Sequence, residues 1–214
     1  MPKNYVPLSE QAYRQIREKI IRLELPPGSV VRENDLMEEL GLGRTPIREA
    51  LHRLAREKLV EIIPRRGIFV TPTSVADLQR LLEVRLVLEG LAARLAAERA
   101  TDDQLGRMEA VLTNLPKDVE PPYNYEPLVH IDRTFHHLVY EAADNPFLYD
   151  VLTTLYALSQ RIWHQFLPRM GNVVPALGKH WAIYEAIKDR DPERAERLLQ
   201  EHIREFHEMI KAAM

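Results

Sequence analysis

The stretch Gly41–Leu54, GLGRTPIREALHRL, restricts the fold of this chain more than any other. Pro46 is tolerated in the first turn of a helix, because the N–H groups there have no acceptor within the helix. Gly41 is expected to end the preceding helix, so two helices must meet at a tight turn. One side of the second helix is apolar and is expected to be buried: Ile47, Ala50, Leu51 and Leu54.

The neighbouring segments extend this pattern. A helix is predicted from about Ser9 to Leu25, and a short one over Glu33–Leu40. Further on, the runs Leu59–Ile63 and Ile68–Val70 flank Pro64-Arg65-Arg66-Gly67, which predicts a β-hairpin with a basic tip. Three helices and a hairpin are the elements of a winged helix-turn-helix, whose third helix enters the major groove of DNA.

The charge and composition fit such a module joined to a second one. Residues 1–73 hold 13 Lys and Arg against 10 Asp and Glu, a net charge of +3, whereas the remainder carries −6. The absence of cysteine excludes disulfides and thiolate metal sites and fits a reducing cytoplasm. We expect no signal peptide and no membrane segment, because no apolar run approaches the roughly 18–20 residues that a span needs.

Seven residues of the predicted module are candidates for DNA contacts. Arg44 and Arg48 can each bond guanine O6 and N7, or a phosphate, and the basic hairpin tip can hold phosphates beside the groove. The candidates are Arg32, Arg44, Thr45, Arg48, His52, Arg65 and Arg66. The alternative is a solvated charged face with ion pairs along one helix, which the accompanying basic hairpin disfavours.

The N-terminal motifs resemble those of a known protein family. The segment PPGSVVRENDLMEELGLGRTPIREALHRLAREKLVEIIPRRGIFV resembles the N-terminal domain of GntR-family bacterial transcription regulators. The family commonly has Ser where this chain has Gly43, so a hydroxyl that is often offered to a phosphate is missing, and Gly where it has Lys58. The resemblance implies DNA-contacting roles for Arg32, Arg44, Thr45 and Arg48, and makes Gly67 the wing glycine.

The second half of the chain is predicted to be helical to its end. Six helices with apolar stripes, interrupted by a proline-rich loop at Pro116–Tyr125, predict an antiparallel α-helical bundle. The whole chain is therefore expected to be mainly α, with an N-terminal winged helix-turn-helix.

Four residues of this half form a candidate metal site. Asp132 and His136 lie at i,i+4 on one helix face, and two antiparallel helices joined near Arg190 would bring His180 and His202 together. Three imidazoles and one carboxylate suit Zn, Ni, Mn or Fe and leave positions for water or a ligand carboxylate. Taken singly, each histidine is more often an ordinary surface or core residue.

A second resemblance bears on this site. Residues 74–212, through EVRLVLEGLAARLAAERAT, DRTFHHLVYEAADNPFL and KHWAIYEAIKDRDPERAERLLQEHI, resemble the FCD ligand-sensing domain of the FadR subfamily of GntR regulators. In its metal-binding members, a D-x-x-x-H pair and two later histidines hold the ion. The resemblance thus implies that Asp132, His136, His180 and His202 bind a divalent transition metal, and disfavours acyl-CoA as the ligand.

Arg85 has two interpretations. It lies at i,i+4 from Glu89 in an otherwise apolar helix, so the two residues could form an internal ion pair. Alternatively, as the resemblance implies, Arg85 faces the metal cavity and binds the carboxylate of an organic acid. Arg161 is a weaker candidate for the same ligand pocket.

These observations predict a transcription regulator with two domains. Residues 1–73 would be the DNA-binding domain, and residues 74–214 an all-helical domain for effector binding and dimerisation. A homodimer would read a two-fold operator in double-stranded DNA, and a small carboxylate at the metal would modulate binding. The family resemblance implies a repressor that is usually released from DNA by its ligand. The alternatives are a metal-dependent enzyme acting on a small acid, for which no separate general base is evident, and a constitutive DNA binder with a structural metal.

Overall fold

The computed structural model describes residues 6–214 and divides into two compact units. The first contains the chain up to Ser74 together with Gln160–His164, and the second contains Val75–Ser159 and Gln165–Met214. The first five residues of the predicted DNA-binding domain lie outside the described residues.

The N-terminal unit consists of three helices and a small antiparallel sheet. The helices are α1 (Leu8–Ile21), α2 (Glu33–Leu40) and α3 (Arg44–Arg56), and the strands are β1 (Val30–Val31), β2 (Val60–Ile63) and β3 (Gly67–Val70). The strand order is β1-β3-β2, with Val30 opposite Phe69 and Ile62 opposite Ile68. The core contains apolar side chains from α1 and α3: Ile16, Ile20, Ile47, Leu51 and Leu54. This is the winged helix-turn-helix predicted from the sequence.

Backbone geometry explains where these elements end. Gly41 adopts the left-handed conformation (φ 64°) directly after α2, and Gly67 opens β3 with φ 117°, which a residue with a Cβ rarely adopts. Helix α1 ends at Ile21, earlier than predicted, because Leu23 already has φ 63° and no longer continues the helix. Strand β1 was not predicted, since two residues are too short for a periodic signal.

The C-terminal unit is all-helical. Its helices are α4 (Val75–Arg99), α5 (Asp102–Thr113), α6 (Tyr125–Ala142), α7 (Pro146–Met170), α8 (Val174–Gly178), α9 (His180–Lys188) and α10 (Pro192–Ala213). Four starts are capped by side chains: Thr101 forms a capping box with Gln104, and Asn124, Asn145 and Asp191 accept from the N–H groups of Glu126, Leu148 and Arg194. The one helix predicted near Pro175–Asp189 is two, α8 and α9, separated at Lys179.

Helix α4 packs closely against α10 in this unit. The alanines of α4 at positions 92, 93, 96 and 97 are fully buried, and small side chains let a neighbouring helix approach closely. In the turn between α9 and α10, Arg190 donates hydrogen bonds to the carbonyl oxygens of Ala97 and Ala100, at 3.2 and 2.6 Å. The α9–α10 hairpin is thereby tied to the end of α4. Within residues 6–214, no helix combines the length and the apolar character that crossing a membrane requires.

Candidate functional site

Four buried metal-ligand side chains converge inside the C-terminal unit. Asp132 and His136 come from α6, His180 opens α9, and His202 lies in the middle of α10. None is more than 5% exposed, and one donor atom of each lies within 4.8 Å of the others. The structure therefore brings together the four residues that the sequence singled out, including the two that depend on the α9–α10 hairpin.

The spacing of the donor atoms fits one ion. His180 Nε2 lies 3.0 Å from His202 Nε2, and Asp132 Oδ1 lies 3.4, 3.8 and 4.0 Å from the Nε2 atoms of His180, His136 and His202. At metal–nitrogen distances of about 2.1 Å, neighbouring donors are about 3.4 Å apart in a tetrahedral site and about 3.0 Å apart in an octahedral one. Only small movements would complete either geometry.

The protonation of two of the histidines also suits a cation, whereas burial disfavours the ionised form of Asp132. Burial lowers the pKa of His202 to about 3 and that of His180 well below its ordinary value, so both imidazoles are neutral and carry a lone pair. Burial also raises the pKa of Asp132, against the influence of His136 and of the hydroxyl of Tyr156, which donates to Asp132 Oδ2. Neutral imidazole and ionised carboxylate are the forms that bind metals, so the two neutral imidazoles fit a divalent ion, and the charge of that ion would favour the ionised form of Asp132.

Two charged residues of α4 lie behind His136. Glu89 Oε2 is 2.8 Å from His136 Nδ1, and the Nε of Arg85 donates to Glu89 Oε1 at 2.5 Å. Burial alone would raise the pKa of Glu89, but the charge of Arg85 and the contact with His136 lower it to about 2. The internal ion pair proposed for Arg85 is therefore present. The contact between Glu89 and His136 had not been predicted, because 47 residues separate them and no local pattern signals it.

Arg161, the other predicted ligand contact, is buried in α7. It belongs to the segment Gln160–His164, which groups with the N-terminal unit. Its role in an effector pocket stays a prediction.

The outer face of α3 is polar and exposed. Arg44, Thr45, Arg48 and His52 are all exposed, while the apolar side of the same helix is buried in the N-terminal unit. The Nε of Arg48 donates to both carboxylate oxygens of Glu33 on α2, at 3.0 and 2.9 Å. The helix thus presents guanidinium groups and its own N-terminus on an open surface, an arrangement that can bind phosphates and base edges.

The remaining predicted contacts are exposed as well. Arg32 is the N-cap residue of α2 and lies 3.9 Å from Asp35. Arg65, Arg66 and Gly67 form the tip of the hairpin between β2 and β3. Arg32 and the hairpin tip therefore place positive charge at the exposed surface of the unit.

Comparison with known families identifies both units. The model described as bacterial regulatory proteins, gntR family, matches residues 8–70, and the model of the FCD domain matches residues 80–205. The chain belongs to the GntR family. It is one of the members that carry an FCD domain, and it is a DNA-binding transcription regulator.

Individual relatives agree with this assignment. The chain is 27% identical over 205 residues to the HTH-type transcriptional repressor RspR of Escherichia coli (strain K12), covering 96% of this chain and 90% of RspR. It is 30% identical over 207 residues to an HTH-type transcriptional regulator in an unstable DNA locus of Streptomyces ambofaciens, covering 93% and 83%. The solved structure of E. coli McbR/YncC shares the fold, with a TM-score of 0.85, 22% identity and coverage of 97% and 99%. RspR and the Streptomyces ambofaciens protein are named as transcription regulators rather than enzymes, so the enzyme alternative is set aside.

Proposed function

We propose that this GntR-family regulator is a cytoplasmic homodimeric repressor whose operator binding changes when a small carboxylate binds at a metal ion in its FCD domain. The observation that carries the proposal is the buried group of Asp132, His136, His180 and His202, whose donor atoms converge on one point. Repression is the activity in the name of RspR, which resembles this chain over nearly its whole length.

In this proposal, the exposed surface of the N-terminal unit contacts the operator. Residues on α3 read base edges and phosphates, while those beside α2 and at the hairpin tip bind phosphates. The proposed contacts are Arg32, Arg44, Thr45, Arg48, His52, Arg65, Arg66 and Gly67, all exposed in the free protein.

The four donors would hold a divalent transition metal, of which Zn, Ni, Mn and Fe suit nitrogen and oxygen ligands. When bound, the ion would supply a buried positive charge that attracts an organic carboxylate. In an octahedral site, four protein ligands leave two positions for that carboxylate. Since the Nε of Arg85 is engaged by Glu89, any contact from Arg85 to the effector would come from its Nη atoms. Arg161 is retained as a second proposed ligand contact.

A surface of the C-terminal unit supports the homodimer. Val84, Val87 and Leu91 recur at helical spacing on α4 and are 45%, 66% and 39% exposed. Clustered exposed apolar side chains commonly mark an interaction surface. A two-fold operator requires two recognition helices, so a second copy of the chain is the partner that we propose for this stripe.

The proposal is tested by thermal melting of the metal-loaded protein against a panel of small carboxylic acids. A ligand that binds only the folded state raises the melting temperature in a saturable way. We expect one acid or one structural class to do so with metal bound and to have no such effect after demetallation. An equal rise without metal would refute the role of the ion.

One observation favours a second candidate function. All four donors are buried, which also suits a permanently held structural ion and constitutive DNA binding. That alternative predicts that a chelator abolishes operator binding, while no acid in the panel changes either melting or operator affinity.

A further inference from the structure

The ion pair between Arg85 and Glu89 lies in the interior of the C-terminal unit. Their side chains are only 5% and 0% exposed. Two charges removed from water are costly to bury, and such a pair is weak evidence for stability by itself. The pair lies next to the four donors, and the hydrogen bonds of Glu89 indicate a role in positioning one of them.

The carboxylate of Glu89 is shared between two partners. Its Oε1 accepts from Arg85, and its Oε2 faces His136 Nδ1 at 2.8 Å. Because the guanidinium of Arg85 donates to Glu89, the carboxylate is an acceptor, and His136 must carry a proton on Nδ1 to donate to it. In the metal-binding form of the imidazole, the lone pair of His136 is then on Nε2, the atom that lies 3.8 Å from Asp132 Oδ1.

The other two histidines of the group differ from His136. In the described chain, the buried Nδ1 atoms of His180 and His202 have no protein hydrogen-bond partner, and neither contacts a carboxylate through that atom. Of the three histidines, His136 is therefore the one whose Nδ1 contacts a carboxylate in the described chain. A carboxylate behind a ligating histidine fixes its tautomer and makes it a stronger electron donor.

We infer that Glu89, held in place by Arg85, is a positioning residue that fixes His136 with its Nε2 lone pair towards the other three donors and strengthens metal binding. This inference rests on the proposed metal site, and it assigns Arg85 a role in the ion's environment. It also connects α4 to the site, since the four grouped donors come from α6, α9 and α10. A pair that served only stability would leave the tautomer and the affinity for metal unchanged.

Zinc affinity measured by competition with a chromophoric chelator tests the inference. We expect Glu89→Gln to weaken zinc binding by about 10–100-fold, the usual effect of losing such a partner. Since this variant leaves Arg85 buried without its counter-charge and keeps an oxygen that can accept from His136, the double variant Arg85→Met/Glu89→Leu is the companion, which removes the acceptor altogether and should show at least a similar loss. The matched control is Glu83→Gln, an exposed glutamate on the same helix, which should bind zinc like the wild type.

The tautomer of His136 is a second measurement, because it would not depend on Glu89 if the Arg85–Glu89 pair only stabilised the fold. Long-range ¹H–¹⁵N correlation spectra of the demetallated wild type at alkaline pH should show His136 protonated on Nδ1, and the double variant should lose that preference. Protonation on Nε2 in the wild type, or wild-type zinc affinity in a folded double variant, would overturn the inference. If the wild type failed to bind zinc, the metal site itself would be refuted, and the tautomer would still decide whether Glu89 positions His136.

Discussion

Replacing Asp132 by asparagine tests the metal centre with little change in side-chain shape. Asp132 supplies the single carboxylate among the four donors, and an asparagine oxygen can still accept the hydrogen bond from Tyr156. The substitution therefore removes the negative charge that faces the ion while leaving the surrounding packing in place. We expect Asp132→Asn to fold and to lose most of the stabilisation that metal provides.

The size of the effect follows from binding linkage. At a free metal concentration of 100 times Kd, the wild type gains about 2.7 kcal/mol in its free energy of unfolding. At about 2–4 °C per kcal/mol for a chain of this size, the melting temperature rises by about 5–11 °C. Losing a hydrogen-bond partner of a metal ligand typically weakens metal binding by about 10–100-fold. If the loss of the anionic ligand itself weakens binding by about 100-fold, metal stabilises the variant by only about 0.4 kcal/mol and raises its melting temperature by about 1 °C.

The demetallated proteins provide the internal control. Because burial raises the pKa of Asp132, its ionised form is disfavoured in the folded protein without a cation. Asparagine removes that penalty, so demetallated Asp132→Asn should melt no lower than the demetallated wild type. Differential scanning calorimetry with and without zinc measures both quantities. Equal zinc-induced shifts in the two proteins would refute the assignment of Asp132 as a ligand.

Three further predictions concern DNA binding and assembly. Arg48→Ala should weaken binding to an operator selected from random oligonucleotides by about 1–3 kcal/mol, as measured by fluorescence anisotropy, since it removes a base or phosphate contact. Glu33→Gln should lower the ratio of operator to non-specific affinity, measured in the same assay, because Arg48 loses its orienting partner and the surface loses a negative charge. Val87→Glu should dissociate the dimer in sedimentation velocity experiments, because it places a charge within the exposed α4 stripe.

Each of these predictions has a control and a contradicting result. Arg56→Ala, at the far end of α3, should cost less affinity than Arg48→Ala, and equal affinity of Arg48→Ala and wild type would remove Arg48 from the interface. Glu38→Gln, exposed on α2, is the control for Glu33→Gln, whose role is refuted by an unchanged affinity ratio. An unchanged sedimentation coefficient for Val87→Glu would exclude the α4 stripe from the dimer interface.

The fold could be predicted largely from local signals. Glu33–Leu40 forms a helix over the predicted residues, because a glycine at its end and apolar spacing within it define it completely. The sequence was less informative where structure depends on distant partners. Strand β1 exists through pairing with β3, nearly 40 residues later, and the break at Lys179 between α8 and α9 has no proline or glycine at the position itself.

In the candidate site, too, the sequence predicted what local spacing determines and missed what depends on distant packing. Asp132 and His136 share a helix face by spacing alone, and the turn near Arg190 brought His180 and His202 within reach of a simple hairpin argument. The contact of Glu89 with His136 depends on how α4 packs against α6, which no helical periodicity specifies. The sequence left two roles open for Arg85: the structure contains the ion pair with Glu89, and a contact with the effector stays a prediction.

The measurement that tests the account most directly is the affinity of the protein for its selected operator in three states: demetallated, metal-loaded, and metal-loaded with the acid identified by melting. We predict that the acid changes operator affinity when metal is bound and has no effect on the demetallated protein, because the ion is part of the acid's proposed binding site. The same operator affinity in all three states, or an equal response to the acid with and without metal, would contradict it.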